Sequence, residues 1–245
     1  DMIDKLKNQQ EKLLNSERHE AWSTVARKLA HEIKNPLTPI QLTIDNLRSK
    51  YIHNLDGENK KKYETNLNII LNQINQIENL VNEFSDFARM PKPIFKKNDL
   101  IKIINNNIKL RSKLNSQVKF NFDTNQKNEL HMECDHEQIN RALFNIIKNS
   151  IESINEKQSK NVDFTGLIDI EIISRRDYII VLIKDNGIGL LNLNKKDLLK
   201  PYYTTKKNGS GLGLSIVNKI ILDHNGSLKL SNTTKGAKVE LFFSI

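Results

Sequence analysis

The chain has a single cysteine, Cys134, in 245 residues. That excludes an internal disulfide and any paired-cysteine metal knuckle, and it fits a reducing, cytoplasmic setting. The residue alternates with Leu130 and Met132 in "ELHMECD", the pattern of a buried strand position. No apolar run reaches the ~18 residues that a membrane span needs. No secretory pattern stands at Asp1. Membrane attachment is therefore expected only through a region outside this chain.

Excess charge is missing from the first part of the sequence. Residues 1–90 carry 13 Lys+Arg and 13 Asp+Glu, whereas residues 91–245 carry 25 and 16 and so hold the whole net charge of +9. These cations are mostly scattered lysines among asparagine and isoleucine. That pattern speaks against a nucleic-acid partner and for a local phosphate site in the basic part.

Proline is also sparse. Four of the five prolines come in two pairs, Pro36 with Pro39 and Pro91 with Pro93. The second pair should end a helix, since proline cannot continue one. Before it everything reads as helix. Residues 1–20 are charged, with sparse apolar positions at Ile3, Leu6 and Leu13, and suit a helical or coiled-coil lead-in. Residues 21–90 then hold two long helices around a turn at Gly57. Apolar positions run 22, 25, 29, 33, 40, 44 and 47 on the first. On the second they run from Tyr63 through Leu67, Ile70, Ile74, Ile77 and Val81 to Phe84, in alternating steps of four and three. Such narrow seams bury little in one hairpin. A homodimer forming a four-helix bundle would bury both.

Residues 91–245 change character. "QVKFNF", "ELHMEC", "LIDIEII", "YIIVLIKD", "GSLKLSN" and "AKVELFFSI" read as strands. Asp135 with Gln138 reads as a capping box opening a helix that carries Ile139, Leu143, Ile146, Ile147 and Ile151. Another helix is expected near Leu212–Leu222. The expectation is an α+β domain with helices on one face of a mixed sheet.

Against this frame stand four short motifs. "HEIKNPL" puts His31 and Glu32 just before Pro36. His31 lies about 160° round the helix from Leu29 and Ile33, so it should face solvent, with Asn35 one turn on along the same face. Pro36 strips the Glu32 carbonyl of its helical donor and Pro39 that of Asn35, so the helix should bend beside His31. A metalloprotease HExxH needs a second histidine where Asn35 stands. "NIIKNSIES" sets the amides of Asn145 and Asn149 on one helix face, and amide oxygen suits magnesium. "DNGIG" ends an apolar strand at Asp185, whose carboxylate can accept from an adenine amino group while Gly187 and Gly189 leave room for the ring. The alternative for it is an ordinary hairpin turn. "PYYTTKKNGSGLGLSIV" brings Gly209, Gly211 and Gly213 to a helix start, where backbone N–H groups favour phosphate, with Lys206 and Lys207 adding charge. The strand and GxGxxG spacing of a Rossmann site are lacking.

Taken in this order, the motifs resemble those of two-component sensor histidine kinases over nearly the whole chain. "HEIKNPL" is similar to their H-box, "NIIKNSIES" to the N-box, "DNGIG" to the G1-box, "LLKPYYTTK" to the F-box region and "GSGLGL" to the G2-box. "KNPLTPIQL" with "PYYTTK" most resembles the NtrY-type nitrogen-regulation branch. Tyr202 and Tyr203 stand where that family usually shows phenylalanine. The resemblance implies a dimeric helical hairpin that receives the phosphoryl group, followed by a Bergerat-type α/β sandwich that binds ATP and Mg²⁺. It implies His31 as phospho-acceptor, with Glu32 supporting its ring and Asn35 orienting water for a phosphatase reaction. It implies Asn149 and then Asn145 for the metal. Asp185, Gly187, Gly189, Lys206, Gly209, Gly211, Gly213 and Leu214 would contact the nucleotide. The implied partner is a response-regulator receiver domain. The rivals are an ATPase clamp of the same nucleotide-binding superfamily and a non-catalytic dimeric adaptor.

Overall fold

The computed structural model describes residues 2–126, 128–160, 163–190, 195–206 and 209–244, without the side chains of 2–24, 195 and 196. The chain forms two compact units, Asp1–Pro91 and Lys92–Ile245. Among the described residues no helix is long and apolar enough to cross a membrane.

The first unit is a hairpin of α1 (Met2–Tyr51) and α2 (Gly57–Ala88), joined through a 3-10 turn at Ile52–Asn54. Gly57 opens α2 at φ +50°, a left-handed conformation that favours glycine. The expected lead-in is continuous with α1, and the side chains of Ile3, Leu6, Leu13 and Trp22 lie outside the described residues. Both Pro36 and Pro39 lie inside α1, so they do not end it.

The apolar seams divide in a way the periodicity did not reveal. On α2 the buried residues are Leu67, Ile74, Val81 and Ala88, whereas Ile70 and Ile77 stay exposed. On α1, Ala26, Ala30 and Ile44 are buried, whereas Val25, Leu29, Ile33, Ile40 and Leu47 are exposed. A hairpin of two helices buries one stripe of each and leaves the rest of an apolar face uncovered. Its core is Ile44, Leu67 and Ile74, flanked by Leu37, Tyr63 and Leu71. Polar bonds flank it, with the Tyr63 hydroxyl donating to the Leu47 carbonyl at 3.0 Å and Arg48 to the Asn68 amide oxygen at 2.6 Å.

In the second unit, β1 (Lys96–Asp99) pairs antiparallel with β3 (His131–Cys134). The main sheet has the order β2–β4–β5–β7–β6. Its strands are β2 (Val118–Thr124), β4 (Gly166–Ser174), β5 (Tyr178–Asp185), β6 (Ser227–Asn232) and β7 (Ala237–Ser244). Only β2 and β4 run parallel, so the sheet is mixed. Burial alternates along β4 and β7, as in a sheet covered on one face. The covering helices are α3 (Leu100–Leu114), α4 (His136–Gln158) and α6 (Gly213–Asp223); α5 (Lys195–Leu198) is a single turn.

Helix α3 has no counterpart in the sequence reading. Asp99 caps it by accepting from the Ile101 N–H, and Leu100, Ile103 and Ile104 are buried. The next inward position is Asn107, which donates to the Ile103 carbonyl and to Asn140 at 2.7 Å. A buried amide at a seam position masks the apolar period.

The Asp135 cap also differs from expectation. Its Oδ1 accepts from the Gln138 N–H, but its own N–H donates to His224 Nε2 at 3.0 Å, which displaces the reciprocal half of a capping box. His224 Nδ1 faces the Ile220 carbonyl at 2.7 Å, and that contact fixes the tautomer with Nδ1 protonated. Burial raises the Cys134 thiol to about 11, with Asp135 adding to the effect against a hydrogen bond from Asn98.

Candidate active site

In the first unit His31, Glu32 and Asn35 are all exposed on α1. Glu32 Oε1 lies 3.9 Å from Lys28 Nζ, one turn back.

In the second unit the N-box face and the G2-box meet. A Cβ added to Gly213 would lie 3.4 Å from Asn145 Oδ1 and 3.7 Å from Asn149 Nδ2. Asn145 donates its amide N–H to the Arg141 carbonyl, so its oxygen is the end that faces Gly213. Helix α6 begins here without a side-chain cap, its N-cap position being Leu212. Uncapped first-turn N–H groups beside two amides are what a polyphosphate with its cation requires. Leu212 is buried and anchors the turn, while Leu214 is half-buried.

Gly211 has φ +70° and lies against the backbone of Tyr202 and Tyr203, where a Cβ would meet Tyr202 C at 2.5 Å. Only glycine fits there, and the contact joins the F-box region to the G2-box. Gly209 donates its N–H to the Lys206 carbonyl. Lys206 Nζ is ion-paired to Glu152 on α4. Lys207 lies outside the described residues.

The turn at the end of β5 is held by side-chain bonds. The Asn186 side chain accepts from Leu167 N–H at 2.8 Å and donates to the Thr165 carbonyl, pinning the turn to the start of β4. Asp185 is buried, and its Oδ1 accepts from the N–H groups of Gly187 at 3.0 Å and Ala237 at 3.3 Å. Burial raises its carboxyl above the ordinary range, against these bonds, a bond from Ser150 and the charge of Lys157. The motif is therefore not a two-residue hairpin, because β5 pairs with β4 and β7 and not with the segment that follows it.

Gly187 leaves no room for a Cβ beside Ser153, whose hydroxyl accepts from the Ile188 N–H. Gly189, at φ +77°, passes close to Asn232, whose amide brackets the N–H and carbonyl of Leu190. Three contributors went unread in the sequence. Ser150 and Ser153 lie inside the quoted N-box stretch, and their three-residue spacing was the available signal. Gly236 packs directly on Asp185, and its only sequence trace is a lone glycine between a basic turn and a strand.

Residues 21–93 match the "His Kinase A (phospho-acceptor) domain" family. Residues 134–245 match the "Histidine kinase-, DNA gyrase B-, and HSP90-like ATPase" family. The chain is 36% identical over 245 residues to an NtrY-like sensor histidine kinase of Rickettsia prowazekii, covering all of this chain and 39% of that protein. This chain carries the two domains of a histidine kinase. It is also 36% identical to the nitrogen regulation protein NtrY of Azorhizobium caulinodans over 224 residues, 91% of this chain and 28% of that one. Among solved structures it is similar to histidine kinase ThkA in complex with response regulator protein TrrA. That likeness has a TM-score of 0.66 at 25% identity and covers 98% of this chain and 66% of that one. The chain thus spans about two fifths of the length of its Rickettsia relative. The match over residues 21–93 includes His31, and the match over residues 134–245 includes Asn145, Asn149, Asp185 and the glycines.

Proposed function

We propose that the chain autophosphorylates His31 from ATP and passes the phosphoryl group to an aspartate of a response regulator. The observation that carries this is the meeting of Asn145, Asn149 and the uncapped start of α6 at Gly213, in a chain whose other unit presents an exposed histidine.

The chemistry asks little of the protein beyond placement and charge. A neutral imidazole attacks the γ-phosphorus through its ring-nitrogen lone pair. A P–N bond forms, the bond to the β-phosphate bridging oxygen breaks, and ADP leaves. Glu32 accepts from the N–H of the other ring nitrogen and stabilises the positive charge that develops. Asp185 selects adenine by accepting from its amino group, and the glycines at 187, 189, 209, 211 and 213 let backbone approach base and phosphates. The α6 N–H groups and Lys206 hold the polyphosphate. Asn149 and Asn145 would hold Mg²⁺, which when bound offsets phosphate charge. The donor set fits, because amide oxygens suit this hard cation and the remaining positions go to water and phosphate.

The exposed apolar stripe of the hairpin supports a homodimer, in which a second copy covers Leu29, Ile33, Ile40, Ile70 and Ile77. Asn35, exposed on the face of His31, would orient water toward the regulator's aspartyl phosphate in a phosphatase reaction. The domains assigned to these roles are 21–90 and 91–245, with 1–20 as a helical lead-in. A cytoplasmic location for this portion belongs to the same reading.

Incubation with γ-labelled ATP tests it. Acid-labile, base-stable label on the chain is the expected result. Phosphate release without label would make the chain a clamp-type ATPase, and neither would make it an adaptor.

A further inference from the structure

Lys157 lies in the last turn of α4, beyond the N-box stretch. Its Nζ donates to three backbone carbonyls, those of Asn186 at 2.6 Å, Gly187 at 3.0 Å and Lys235 at 3.0 Å. An ammonium has three protons, so its donors are fully used. The same nitrogen stands over the Phe164 ring, 4.6 Å from its centre. The charge is thus held by one aromatic face and three oxygens, in a half-buried position.

The three carbonyls belong to two separate segments. Asn186 and Gly187 form the turn after β5, and Lys235 is in the turn between β6 and β7. Those two segments also supply the N–H groups that hold Asp185, from Gly187 and from Ala237. Lys157 grips their carbonyl side and Asp185 their amide side. Gly236, between Lys235 and Ala237, packs on Asp185 with no room for a Cβ. The β5–β7 ladder ends at the pair Lys184 and Lys238, and beyond that pair the bonds of Lys157 and Asp185 tie the two turns together.

We infer that Lys157 is a positioning residue of the nucleotide site, fixing the two turns that orient the Asp185 carboxylate and thereby setting the preference for an adenine base. This inference rests on the reading that the site binds ATP. Lys157 touches no nucleotide group itself. Its effect falls on base recognition and leaves polyphosphate binding, made by α6 and Lys206, alone.

The test is calorimetric titration of the full 245-residue chain with ATP, GTP and inorganic tripolyphosphate, for the parent, Lys157→Met and Phe164→Leu. Lys157→Met keeps the aliphatic stem and removes charge and donors. Since hydrogen bonds to charged groups are worth more than neutral ones, it should lose about tenfold in ATP affinity, with the ATP-over-GTP preference falling alike. Tripolyphosphate affinity should stay within about twofold. Phe164→Leu keeps the three hydrogen bonds and should lose about two- to fivefold, again in ATP only. It carries the test if Lys157→Met does not fold. An unchanged ATP-over-GTP preference in the variants that fold, or an equal loss for tripolyphosphate, overturns the inference and leaves Lys157 a stability residue. A parent chain that binds no ATP overturns the nucleotide reading itself, and this inference with it.

Discussion

Lys206 and Glu152 form an ion pair between the loop after Tyr203 and the middle of α4, three residues beyond Asn149. Residues three apart share a helix face, so the carboxylate stands beside the amide proposed to hold the metal. A lysine paired in this way is partly neutralised before any phosphate arrives. Both side chains are partly open to water, so the pair is weak. Glu152→Gln is therefore predicted to tighten ATP binding by about two- to fivefold, the effect of freeing a partly exposed ammonium. The same change in a Lys206→Met background should do nothing, and the double-mutant cycle by calorimetry reads the coupling.

Asp185→Asn replaces an acceptor-only group by one that can present a donor to the adenine amine. The expected loss is about 1–3 kcal/mol of ATP binding, the usual size for a buried bond left unmade.

The pH dependence follows from the burial that raises the Asp185 carboxyl. Its proton returns above the ordinary aspartate value of ~3.9, and protonation removes the ionised acceptor. ATP affinity of the parent should therefore fall as pH drops through that raised value, before unperturbed carboxylates titrate. Asp185→Asn should be flat over the same range. The stability contribution has the opposite sign. A raised acid costs stability while ionised, and that cost is relieved as pH falls through its folded value. Titrations from neutral pH down toward the ordinary aspartate value of ~3.9, with unfolding followed in parallel, separate the two.

Asp135 runs the other way. Burial opposes its ionisation. That is outweighed by N–H donors from Ile94, Gln138 and Glu137, so its carboxyl lies below the ordinary value. Asp135→Ala removes the α4 cap and the bond from Ile94 at 2.8 Å, and should destabilise the chain by about 1–3 kcal/mol at pH 7. A depressed acid contributes its stability above the unfolded value of ~3.9, and the contribution is lost as pH falls through the folded value. The difference between parent and variant in urea unfolding should shrink over that acidic window.

Strand alternation and helix period are local, and β2, β3, β4, β5, β6, β7, α4 and α6 were all legible from them. Helix α3 was not, because Asn107 occupies an inward position where the period calls for an apolar residue. The seams of α1 and α2 were legible as apolar but not as two stripes, since periodicity does not say which stripe the hairpin itself covers. The four motifs were visible one by one. The packing of Gly213 on Asn145 and of Gly236 on Asp185 spans tens of residues, and that of Gly211 on Tyr202 joins two different motifs, so no local pattern encodes them. Lys157 was invisible for the same reason, as its partners are backbone carbonyls, which carry no residue identity.

Asn35→Ala should separate two activities. Its side chain shares the His31 face but is not the nucleophile, and Glu32 remains. Autophosphorylation is predicted within a few-fold of the parent, with much slower loss of phosphate from the phosphorylated regulator. Misplacing a reactant by ~1 Å costs ~100-fold, and a water held by an amide is such a positioning effect. A chase of labelled regulator with each variant checks it. Loss of autophosphorylation with intact dephosphorylation would assign Asn35 to the kinase step.

The central claim is that the phosphoryl group rests on the imidazole of His31. Peptide mapping by mass spectrometry, under neutral conditions after incubation with ATP and Mg²⁺, tests this directly. The account predicts one phosphorylated peptide, with the added mass on His31, and none from His31→Gln although that variant still binds ATP. A phosphoryl group on any other residue, or undiminished labelling of His31→Gln, would contradict it.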